Sequence, residues 1–142
     1  MDLHAGSPGT WREIAGPATA GSFHAIEPRR VYDSRPGSKL SPGQDRTISI
    51  ANATDGTLDV VPGKATAVAL TVTVTETEGV GGFIAVRPGG TVYNGTSSIN
   101  WFGPNQSLAT TVITGLDAAR QITLSAGAQN THLVIDVTGY YR

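Results

Sequence analysis

An all-β fold, an antiparallel β-sandwich that is jelly-roll-like with about nine short strands, is what this sequence predicts. Three observations point there. Thr occurs 18 times, Val 12 and Ile 9, against 4 Glu, 2 Lys and 1 Met. β-branched side chains suit a pleated sheet, and the material for exposed helical faces is missing. The 18 Gly and 8 Pro supply punctuation for many turns. Residues 65–75 alternate strictly, with Val68, Leu70, Val72 and Val74 on one side and Ala67, Ala69, Thr71, Thr73 and Thr75 on the other. Period two over that length makes one face core and the other small and half-exposed.

Residues 1–21 read as a Gly/Pro/Ala/Thr-rich lead or linker arm. Trp11 sits within it, and an indole of that size is expected to dock on the domain or on a neighbouring subunit as an assembly contact. The sandwich domain spans residues 22–142. Residues 23–26 form a first strand, ended by Pro28, and residues 30–34 a second, closed by Arg35-Pro36-Gly37. Residues 46–50 are a third. Asp55-Gly56 and Pro62-Gly63 mark turns before the long alternating strand. Residues 82–87 return from the polar turn at Glu76 to Gly79. Residues 92–95 read as a loop or tight hairpin. Strands follow at 98–101, 108–114, 121–125 and 132–137, with Leu133, Ile135 and Val137 facing in. The lone helix candidate, residues 116–120, is too short to matter. Turn signals recur about every 8 to 12 residues, the spacing of a sandwich.

The bulk numbers exclude several function classes. A net charge of −1 leaves no electrostatic footprint for nucleic acid. No stretch is apolar enough to insert in a membrane. With no cysteine there is no disulfide framework, thiolate zinc site or thiol nucleophile. The polar N-terminus lacks the cationic head and apolar run of a signal peptide.

Four blocks carry a resemblance. Residues 23–35 (FHAIEPRRVYDSR), 61–74 (VPGKATAVALTVTV), 97–101 (SSINW) and 131–141 (THLVIDVTGYY) resemble a β-sandwich domain of actinobacterial surface proteins and of minor tail or appendage proteins of actinobacterial phages. The resemblance covers about residues 10–142, and the lead around Trp11 is more like the phage versions. It implies a structural virion protein, a tail or capsid appendage or decoration module located in the virion, with no catalytic residues. A homo-oligomer, a trimer included, is expected alongside other virion proteins, since the small-residue face of Ala67, Ala69, Thr71 and Thr73 fits close packing against another subunit; a host cell-surface glycan is a further expected contact. The alternative is a carbohydrate- or cell-wall-binding module of a surface protein.

The residues weigh the same way. His132 and Asp136 share a strand face with Ser125 near in sequence, but i,i+4 on a strand separates the groups by about 13 Å, and no nucleophile elbow is present. The chain is therefore expected not to be an enzyme, and no cofactor is expected. Asp55 with Asp59, and Glu76 with Glu78, match no calcium-loop pattern, so no metal is expected. Arg30, Asp33 and Arg35 form a polar cluster, read chiefly as a corner fastener and otherwise as a grip on an anionic polymer. Tyr93, Asn94, Asn100, Trp101, Asn105 and Gln106 combine flat rings with amides, the chemistry of glycan contact or of a subunit interface. A strand Trp is more often core, and that weighs against Trp101 as a platform.

Overall fold

The structure, a computed structural model, describes residues 21–142. Trp11 and the lead up to residue 20 lie outside the described residues. Eight strands follow in chain order: β1 (Phe23–Asp33), β2 (Arg46–Ser49), β3 (Ala67–Thr75), β4 (Gly82–Pro88), β5 (Ile99–Trp101), β6 (Leu108–Gly115), β7 (Gln121–Gly127) and β8 (His132–Tyr141). They form two four-stranded sheets, the first in the order β1-β8-β3-β6 and the second in the order β2-β7-β4-β5. All the hydrogen-bonded strand pairs are antiparallel.

The pairs β4–β5, β3–β6, β2–β7 and β1–β8 are nested inside one another. The chain is thus one long hairpin folded twice across itself, with alternate pairs in opposite sheets. That is the jelly-roll order. It bears out the predicted all-β sandwich, with eight strands in place of nine. The difference lies at Pro28. The two strands expected at 23–26 and 30–34 are one, β1, which carries register shifts between Ala25 and Arg29 and between Arg30 and Tyr32. Pro has no amide to give a ladder, but β1 is an edge strand, and the bulge takes Pro28 out of the pairing. The 116–120 segment is a turn, in which the Asp117 carboxylate accepts from the amides of Ala119 and Gln121 at 3.1 and 2.7 Å.

Alternation builds the core. Val68, Leu70, Val72 and Val74 of β3 are fully buried, as are Leu133, Ile135 and Val137 of β8. They meet Ile84 of β4 and Ile122 and Leu124 of β7 from the second sheet. Each such side chain contributes about 1.5–3 kcal/mol on leaving water. At one end the connections are stitched together by Lys39, whose ammonium donates to the Glu76 carbonyl at 2.7 Å and to Glu78 at 2.9 Å, while Asn130 donates to the other Glu78 oxygen at 2.9 Å. No helix among the described residues is long and apolar enough to cross a membrane.

Candidate functional site

The outward face of the second sheet is where polar groups converge. β4 alternates Ile84 and Val86 inward, so Phe83, Ala85 and Arg87 point out. Arg87 is nevertheless only 6% exposed. Its Nε donates to the Thr91 carbonyl at 2.7 Å, Nη1 to Ser125 Oγ at 2.6 Å and Nη2 to Asp45 Oδ2 at 2.5 Å. Ser125 in turn donates to Asp45 Oδ1. That hydroxyl, and after it the Arg87 guanidinium, holds the Asp45 carboxyl below its usual range. The 89–98 connection folds over this network. Tyr93 stacks on Phe83 with ring centroids 6.2 Å apart, and the Arg87 guanidinium carbon lies 5.8 Å from the Tyr93 centroid. Phe83 lies over Gly127, its direct partner across β4 and β7, where any Cβ would fall within 2.1 Å of the ring. Only glycine leaves space for that aromatic lid.

The expected glycan platform is brought together only in part. Tyr93, 38% exposed, and the exposed Asn94 and Asn100 lie on the outer side of the second sheet; Asn100 pairs with Phe83 across β4 and β5. Trp101 does not join them. It is 1% exposed, and its Nε1 donates to the Glu78 carbonyl at 3.0 Å, so the indole is core, not platform. Asn105 and Gln106 turn back on Thr77 at the end of the sandwich: the amide of Asn105 donates to the Thr77 carbonyl at 2.7 Å and that of Gln106 to Thr77 Oγ1 at 2.8 Å. Asn105 takes a positive φ of 54° there, which suits a turn.

The Arg30, Asp33 and Arg35 cluster divides into two forks on the first sheet. Asp33 accepts from the Arg35 backbone amide at 3.0 Å, from its Nε at 2.9 Å and from its Nη2 at 2.7 Å. The Arg35 side chain is the main cause that holds the Asp33 carboxyl down at about 2. Arg30 instead donates to Asp136 across the sheet, Nε to Oδ1 at 2.9 Å.

Ser125, His132 and Asp136 are likewise held apart. Ser125 belongs to the Arg87 network and Asp136 to Arg30. His132 Nδ1 lies 2.9 Å from Ser34 Oγ, a hydroxyl only 3% exposed that also accepts from the Leu133 amide at 2.8 Å. Asp55 accepts from Thr57 and Asp59 from Arg120. Among the described residues no three His, Cys, Asp or Glu side chains gather as metal ligands would. An open cleft of about 300 Å³ lies between β1 and residues 57–60, with Ile26, Val60 and Tyr140 among its apolar walls and Arg29 and Asp59 among its charges.

The opposite outer face differs in kind. On β3 and β6, Ala69 stands opposite Ile113, Thr71 opposite Thr111 and Thr73 opposite Ala109. Neither strand contains a charged residue. Ile113 is 61% exposed. The charged forks sit beyond β3, on β1 and β8.

No family model matches this chain, and no curated protein matches it.

Proposed function

We propose that this chain is a non-enzymatic structural module that assembles with copies of itself and with other virion subunits, as an appendage or decoration domain of an actinobacterial phage tail or capsid. One observation carries the assembly: the open outer face of β3 and β6, small, uncharged and topped by the exposed Ile113. Contact surfaces are depleted of charge at their centre, and small side chains permit close approach. The resemblance of residues 23–35, 61–74, 97–101 and 131–141 supports the virion setting.

Light scattering of the full chain tests it. A discrete species at a multiple of 14.7 kDa is expected, and Ile113→Lys, on the exposed β6 side of the face, is expected to reduce it without lowering the melting temperature. A chain that keeps the monomer mass at every concentration overturns self-assembly.

A second reading, carbohydrate binding, is favoured by the half-open Tyr93 ring beside Asn94 and Asn100. Retention on immobilised actinobacterial cell-wall polysaccharide that Tyr93→Ala abolishes would favour it over assembly.

A further inference from the structure

The two sheets have four edges, β1 and β6 on the first, β2 and β5 on the second. Three are blunted. β1 is interrupted by two register shifts and carries Glu27, Pro28, Arg29 and Arg30. β2 has four residues and opens on Arg46, whose guanidinium donates to Tyr32 Oη at 2.7 Å and to the Ser38 carbonyl at 3.1 Å. β5 has three residues. Charge, proline, bulges and shortness are the devices by which sheet edges avoid pairing with other chains.

β6 has none of them. It runs for eight residues, LATTVITG, without charge or proline, in unbroken register with β3 from Leu108 to Gly115. Its composition is β-branched in five of those eight positions. Leu108, Ala109, Thr111 and Ile113 are exposed. Among the described residues no strand pairs with its far side. Alternate residues of an edge strand aim their N–H and C=O groups away from their one neighbour, so half of the β6 backbone offers donors and acceptors outward.

We infer that the free edge of β6 is a self-association site, pairing antiparallel with β6 of a second copy and joining the two first sheets into one continuous eight-stranded sheet. This rests on the assembly reading above and names its contact. The strand suits its own copy because an uncharged edge sets no like charge against itself in any register. The pleat then limits the register. Directly opposed residues share a face, so the two-fold axis passes beside a residue and not between two. With the axis at Thr111, Ala109 of each copy faces Ile113 of the other, and Thr110 faces Val112. The exposed Ile113 side chain thereby covers the small Ala109. The open faces of β3 and β6 merge into one surface, and the Arg30–Asp136 and Arg35–Asp33 forks lie toward its two outer margins.

Thr111 supplies the test, since it is exposed and its replacement opens no core. Thr111→Lys and Thr111→Glu each set like charges face to face at the axis, whereas a mixture sets Lys against Glu. In full-length chains of unchanged melting temperature, the parent is expected at twice 14.7 kDa and each variant alone at the monomer mass at the same concentration. The equimolar mixture is expected to return to the dimer. Variants that stay oligomeric alone overturn the edge pairing and leave assembly to another surface. A parent that is monomeric throughout overturns the pairing and self-assembly together.

Discussion

On the second sheet, the 89–98 connection folds back over the strands and closes Arg87 beneath Tyr93, whereas on the first sheet β3 leaves Thr71 and Thr73 half-exposed. Both faces carry polar atoms in mid-sheet, but they satisfy them differently. A guanidinium under cover needs fixed partners, and Arg87 has three, from Asp45, Thr91 and Ser125. A threonine hydroxyl can use water, a neighbouring strand or an incoming chain with little change in energy. The covered face is therefore committed to one arrangement, and the open face can be buried later at small cost.

Arg87→Ala tests the covered face most severely. It removes the guanidinium that ties Asp45, Thr91 and Ser125 together and the support beneath Tyr93, and it should lower unfolding free energy by about 2 kcal/mol in urea titration. A loss no larger than that of an outer-face threonine would break the contrast between the sheets. A smaller effect belongs to the margin of the open face. The Asp33 carboxyl is held at about 2, below its ordinary 3.8, so its stabilisation is present above pH 4 and lost as pH falls through 2. Asp33→Asn should be less stable than the parent at pH 7, with a gap that closes between pH 4 and pH 2. A gap that is independent of pH would remove the Arg35 ion pair from the account. Smallest of all, Thr73→Ala in the middle of the open face should change stability by no more than about 0.5 kcal/mol.

What the sequence made legible follows the range of the interactions. The β3 alternation and the inward set of β8 were plain, because period two is written in consecutive residues. Pro28 misled for the same reason: locally it ends a strand, and only the edge position of β1 and its bulge let the strand continue. The partner of Arg30 left no local signal, because Asp136 is near it in space and 106 residues away in the chain. Arg87 gave no signal at all. Asp45 and Ser125 lie 42 and 38 residues away, and no local spacing announces such a contact. Trp101 was weighed between core and platform, and the Glu78 carbonyl that takes its N–H decides for the core.

The nesting of the strand pairs has a kinetic consequence. Arg30 and Asp136, partners in the outermost pair, are 106 residues apart in the chain. Closing a loop of that length directly costs about 2 kcal/mol more in chain entropy than closing one of about ten residues. The β4–β5 pair spans only the 89–98 connection. Once it forms, each wider pair closes only the added arms, from β3–β6 to β2–β7 to β1–β8. The cheapest route to the native state therefore runs from the middle of the chain outward. On that route the 89–98 turn is the first piece fixed, and the ends that meet at Ser22 and Arg142 are the last.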